Sequence, residues 1–175
     1  MDVTGKPRHL VVHDYGMGAV WWWVRAESAQ AVLDAVAEVE VSTRPAALEW
    51  AATADLEEID LDDPGPHSLT SFLEKRAAQR AHPAFPALAG RERVYLRDDE
   101  DEGWEILMEL GPDGRTVRQV VVEPGAAPRA ETEEDWPFNA PFDLYDPALL
   151  PKEITAEDFE AAWRAAGGQA GRTLP

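Results

Sequence analysis

The side chains with the most chemical capacity lie close together near the start of the chain, in the stretch HLVVHDYGMGAVWWWVR at residues 9–25. His13 stands beside Asp14, Tyr15 follows, and Trp21, Trp22 and Trp23 lead into Arg25. An imidazole next to a carboxylate has the components of an acid–base pair. Neighbours on a strand point to opposite faces, however, so His13 and Asp14 meet only if the backbone bends at Asp14. In the plainer reading His13 packs against Trp21 and Asp14 caps a turn. The tryptophans face the same alternative: all three belong to a core, or some form a binding surface with Tyr15 and Arg25, since these residue types dominate interface hot spots. An aromatic wall beside Arg25 could also stack a planar ligand.

Other catalytic patterns are missing from the sequence. His9, His67 and His82 match no metal-binding spacing, and no nucleophile elbow of the GxSxG form occurs. Gly16 and Gly18 are not followed by the Lys-Ser/Thr of a phosphate loop. The absence of cysteine rules out disulfides, thiolate catalysis and cysteine-ligated metals. We therefore expect no cofactor and no metal.

These residues need elements to position them. Two apolar runs flank Gly16-Met17-Gly18, which predicts a β-hairpin closed by a three-residue loop. That register pairs Tyr15 with Ala19, His13 with Trp21, Val12 with Trp22 and Val11 with Trp23. It places Val11, His13, Tyr15, Trp21, Trp23 and Arg25 on one face, and Leu10, Val12, Val20, Trp22 and Val24 on the other. Both faces are largely apolar, so the hairpin is expected inside a sheet covered on both sides.

Ser28 is then expected to cap a helix whose stripe is Ala29, Val32, Leu33, Val36 and Val39. Residues 38–42 (EVEVS) and 56–61 (LEEIDL) read as short strands. Residues 48–54 (LEWAATA) fit either a helical turn or a strand. Ser68 is expected to cap a second helix carrying Leu69, Phe72, Leu73 and Ala77, ended at His82-Pro83. Val94, Tyr95 and Leu96 form a strand, and residues 98–102 (DDEDE) a solvated acidic loop. A second hairpin spans Trp104 to Glu123. With Asp113-Gly114 as a two-residue loop, Glu109 faces Arg118, Leu107 faces Val120 and Ile106 faces Val121. Residues 124–153 are too rich in proline for regular structure and too rich in aromatics for disorder, which predicts an ordered strap bearing Trp136. Thr155, Asp158, Ile154 and Phe159 make a capped and stapled start to a last helix, which buries Phe159, Ala162 and Trp163 and ends at Gly167.

The chain therefore reads as one α+β domain over residues 1–168, followed by a flexible tail at 169–175. Its mixed or mainly antiparallel sheet has five or six strands, with three helices and the strap at 124–153. From Trp104 onward, the hairpin WEILMELGPDGRTVRQV, the aromatic stretch after it and the helix EITAEDFEAAW resemble an uncharacterised family of short bacterial proteins. Some members of such families are thought to be immunity proteins, and the resemblance implies a protein-binding role without supplying a catalytic residue.

Charge narrows the partners. With 34 acidic and 16 basic side chains, the chain has a net charge of −18. Such a field repels nucleic acid and anionic membranes and attracts a basic protein. Salt adaptation and simple solubility are the competing readings of the charge. No apolar stretch suits a signal sequence or a membrane helix, so a cytoplasmic location is expected. The expected function is a non-catalytic acidic binder of immunity or inhibitor type. The alternative is a small-molecule site or enzyme with a pocket on the His13/Trp21/Trp23 face. The candidate partner- or ligand-binding residues are His13, Tyr15, Trp21, Trp23, Arg25 and Trp136. The Thr155 cap is testable on its own: Thr155→Ala should cost about 1 kcal/mol of stability in urea denaturation.

Overall fold

The β-branched and aromatic runs around Gly16 do pair as a hairpin. In the computed structural model, which describes residues 5–63, 65–86, 88–99 and 103–168, β1 (Arg8–Asp14) runs antiparallel to β2 (Ala19–Arg25). The turn between them is one residue shorter than expected. Tyr15 N–H donates to the Gly18 carbonyl at 3.1 Å, which leaves only Gly16 and Met17 in the loop. Gly16 has φ of 87°, the positive value required at the first central position of a II′ turn, and its N–H is held by the Asp14 carboxylate at 2.9 Å. His13 therefore pairs with Val20, Val12 with Trp21, Val11 with Trp22 and Leu10 with Trp23.

The chain divides between Phe85 and Pro86 into two compact units, each built on its own four-stranded sheet. In the first, the strand order is β3-β1-β2-β4, with β3 (Glu40–Ser42) antiparallel to β1 and β4 (Glu58–Asp60) parallel to β2. One face carries Val11, Trp22, Val24 and Ile59. It packs on α1 (Ala29–Ala35) through Val32 and on α3 (Thr70–Arg80) through Phe72 and Leu73, with Leu69 just before that helix. The other face carries Leu10 and Trp23 and packs on α2 (Pro45–Ala51) through Ala47, Leu48 and Ala51. Ser28 caps α1 as expected, accepting from Ala31 N–H at 3.1 Å. Ser68 is not the cap of α3. The position before α3 is Leu69, and Ser68 Oγ instead accepts the Trp22 indole N–H at 2.6 Å. A buried indole needs an acceptor, and this one has it. The α3 stripe also includes buried Arg76, whose guanidinium donates to the Val36 carbonyl at 3.0 Å and to Gln79 Oε1 at 2.7 Å. It thereby satisfies a carbonyl just beyond the end of α1, a group the helix leaves unpaired.

In the second unit the order is β5-β6-β7-β8: Val94–Asp99, Glu105–Leu110, Thr116–Val122 and Arg129–Thr132. The expected pairs Glu109 with Arg118, Leu107 with Val120 and Ile106 with Val121 are all present. The loop, however, is three residues long. Gly111 N–H donates to the Arg115 carbonyl, Gly114 is left-handed, and a register shift after Glu109 restores the pairing. One sheet face packs on α4 (Ala156–Ala165) through Phe159 and Trp163. The Arg118 guanidinium lies over both rings and pairs with Glu109 and with Glu160 of α4. The other face is covered by Leu88, Phe142, Leu144, Leu149 and Leu150. Thr155 caps α4 as expected, accepting from Asp158 N–H at 3.1 Å.

Several expectations are corrected here. Among the described residues, the single sheet of five or six strands expected over 1–168 is two sheets of four strands, and there are four α-helices, not three. Periodicity finds strands but cannot say which ones pair across the proline-rich segment after α3. Residues 48–54 contribute to a helix, and part of the strap, Arg129–Thr132, pairs as β8. Asp98 and Asp99 belong to β5, while residues 100–102 of the expected acidic loop and the tail at 169–175 lie outside the described residues.

The strap closes on the turn of the second hairpin, where Phe142 N–H donates to the Gly114 carbonyl at 2.9 Å. Gly114 has φ of +80°, and a Cβ there would collide with the Phe142 backbone. Gly125 has φ of +79° with open space around it. Gly114→Ala should therefore cost about 2–4 kcal/mol in denaturant unfolding, against about 1–2 kcal/mol for Gly125→Ala.

Candidate functional site

With two residues in the turn, strand alternation separates the groups expected to share a pocket. His13 pairs with Val20 on the face that carries Trp22, whereas Trp21, Trp23 and Arg25 lie on the opposite face. The pocket expected around His13, Trp21 and Trp23 therefore does not form. The His13 ring stands 4.8 Å from Phe72 and 6.0 Å from Tyr15, and its Nδ1 is 2.7 Å from the Glu38 carbonyl oxygen. A carbonyl only accepts, which assigns the proton to Nδ1. Glu38 has φ of 57°, and its carboxylate takes Lys75 Nζ at 2.6 Å. His13 thus braces a left-handed turn that leads into β3.

Trp23 and Arg25 are also held by structural partners. The Trp23 indole N–H donates to the Ala51 carbonyl at 3.3 Å, and the Arg8 guanidinium covers its ring at 4.3 Å. Arg25 Nε donates to Glu58 Oε1 of neighbouring β4 at 2.5 Å. Trp21 is half-buried and meets Trp50 of α2 edge to face at 5.5 Å.

Of the candidates in this unit Tyr15 is exposed, and the other large exposed apolar groups here escaped the sequence reading. Met17 is 82% exposed, Tyr15 56%, Val20 44% and Trp50 48%. The first three share the hairpin turn, and Trp50 leans on Trp21. A loop methionine gives no sequence signal of its own, and Trp50 sits in a segment whose helix or strand identity the pattern left open. Three acidic side chains stand at the same end of the sheet: Asp14 ends β1, Glu40 pairs with Val12, and Glu38 precedes β3.

Trp136 belongs to a separate place, within the second unit. Segment 136–142 and the sheet face bearing Ile106, Met108 and Gln119 enclose an open groove of about 440 Å³. Trp136, Phe138 and Phe142 form its aromatic wall, and Asp98 lies along its lining. Asn139 fastens that wall. Its side chain accepts from Thr116 N–H at 3.0 Å and donates to the Thr116 carbonyl at 2.7 Å, doing for β7 what a neighbouring strand would do. Glu131 of β8 orients the groove's edge, taking the Trp136 indole N–H at 3.1 Å and Gln119 Nε2 at 2.7 Å.

Among the described residues, no group of three or more histidine, aspartate and glutamate side chains is arranged to hold a metal ion. Nor is any described helix long and apolar enough to cross a membrane. No family model, curated protein or solved structure matches the chain.

Glu131 supplies a pH test. Partial burial pushes its carboxyl up, but hydrogen bonds from Gln119, Trp136 and Arg129, with the Arg129 charge, outweigh that and hold it below the usual value of 4.5. A carboxylate with a depressed folded-state value stabilises above the ordinary range and loses that contribution as pH falls through the folded value. Glu131→Gln should be less stable than the parent at pH 7, with the gap in melting temperature closing on acidification below about pH 4. A constant gap across that window would show that the carboxylate's charge is not what holds Trp136.

Proposed function

We propose that this chain is a non-catalytic, acidic binding protein of the immunity or inhibitor type, which occludes a basic protein partner in the cytoplasm. The observation that carries the reading is the β1–β2 turn, where Tyr15, Met17 and Val20 project apolar surface from a chain of net charge −18. Scattered exposed hydrophobics are ordinary, but three within six residues on a closed turn make a local anchor. Trp50 and Trp21 add an aromatic edge to the same unit. The surrounding carboxylates favour a partner of opposite charge and raise its encounter rate more than its final affinity. Inhibition by such a protein needs only coverage of the partner's working surface. The reading also draws on the resemblance of the second unit's hairpin and last helix to an uncharacterised family of short bacterial proteins, since some members of such families are thought to be immunity proteins.

The test is a photo-crosslinking residue at position 17, with capture from lysate of the source cell at low salt. A basic protein should cross-link there. Its association rate with the purified chain should drop by about tenfold or more between roughly 50 and 500 mM salt. In a tagged chain without the crosslinker, whose pull-down should retain the same protein, Met17→Asp at this 82% exposed position should abolish capture. An on-rate indifferent to salt would remove electrostatic steering from the account. Undiminished capture by Met17→Asp would move the contact surface away from the turn.

A further inference from the structure

We propose that the groove under segment 136–142 is a receptor for a guanidinium group, namely an arginine side chain of the basic partner. This inference rests on the binding reading above and goes further in naming the chemistry recognised. The polar inventory of the groove is one-sided. The Trp136 indole N–H is spent on Glu131, so that residue offers its ring face. Gln119, on the groove lining, donates its Nε2 to the same carboxylate. Asn139 uses both ends of its amide on Thr116. The polar side-chain groups that remain are the Gln119 carbonyl, the Thr116 hydroxyl and the Asp98 carboxylate, the last already holding one cation, Lys152. The other walls are aromatic or aliphatic, with Phe138 58% exposed at the rim and Ile106 and Met108 below.

Acceptors set among aromatic faces select a flat, multiply donating cation. A guanidinium stacks on rings through its faces while its edge N–H groups reach carbonyl and carboxylate oxygens. An anion would meet the Asp98 carboxylate and the field of Glu131, Glu133, Glu134 and Asp135 just before Trp136. A neutral apolar ligand would leave the acceptors desolvated and unpaired. The site already tolerates a cation at one end, because Lys152 Nζ rests 2.7 Å from Asp98 Oδ1 in a partly exposed pair that solvent can reach. A volume of about 440 Å³ takes one long side chain and its flanking backbone, not a large cofactor.

The experiment is a titration of the isolated full chain, followed by NMR at the Trp136 indole N–H, a signal identified by its loss in Trp136→Phe. The probes are a capped five-residue peptide with a central arginine and the same peptide with citrulline, which keeps the shape and removes the charge. The arginine peptide should shift the indole signal saturably and the citrulline peptide should not. Phe138→Ala, at an exposed position, should weaken binding about two- to fivefold, and Asp98→Asn should weaken it further. The inference is overturned if the arginine peptide gives no saturable shift, if citrulline serves equally well, or if neither variant changes the affinity. The groove titration needs no partner, so the two proposals fail separately. A silent groove with intact capture at Met17 removes the guanidinium site alone. A responsive groove without capture supports the site and removes the hairpin-tip reading.

Discussion

The hydrogen bond from Tyr15 N–H to the Gly18 carbonyl closes the turn on which the first unit depends. Side chains alternate along a strand, so the residues left in the loop decide the facing of every side chain in β1 and β2. With only Gly16 and Met17 outside the pairing, Val11, Trp22 and Val24 face the two helices α1 and α3, and Leu10 and Trp23 face α2. The polar needs of the buried indoles then place their neighbours. Trp22 requires Ser68 at its N–H, and Ser68 in turn donates to Glu57. Trp23 requires the Ala51 carbonyl at the end of α2. A slip of one residue would leave both donors without acceptors inside the protein, at a cost of about 1–3 kcal/mol each.

The second unit is held in register by charge as well as by shape. Glu109 and Arg118 stand opposite each other on β6 and β7, in a layer roofed by Phe159 and Trp163. Arg118 reaches on to Glu160, so one guanidinium ties the sheet to α4. Removing either carboxylate would leave the cation partly buried with fewer partners, which costs more than the pair itself contributes. On the opposite face, proline-rich backbone cannot form a strand, and Asn139 supplies the missing hydrogen bonds to Thr116. The aromatic wall of the groove is thus fixed by the Asn139 side chain on the β7 backbone.

These two arrangements give the functional account its chemistry. In the first unit, aromatic and apolar groups not needed for the core end at the turn and beside α2. In the second, the Trp136 indole and the Gln119 and Asn139 amides hydrogen-bond to neighbours, and aromatic side chains line the groove beside the Asp98 carboxylate. The proposed binding of a cationic protein surface draws on both patterns and on the net charge of −18.

What was legible in the sequence was local. Cap residues act within one helical turn, so Ser28 and Thr155 were identifiable from their neighbours. The Glu109–Arg118 match marked the second hairpin's register, and it survived an error in the loop because the register shift after Glu109 absorbs the extra turn residue. The first hairpin had no such compensation. Gly16 and Gly18 allow two closures, both leaving apolar faces, and no charged pair chose between them, so the predicted pocket of His13 with Trp21 and Trp23 depended on the wrong one. Trp136 was identified as a candidate from its residue type and setting, but its groove requires Gln119, Asn139, Asp98 and Phe138, which are spread along the chain. By itself the sequence determined the α+β class, most elements, the caps and the acidic charge, because these arise from composition and from contacts a few residues apart. Only the tertiary structure decided that the strands form two sheets, which face each tryptophan takes and which polar groups remain unspent, because those depend on pairing between distant segments.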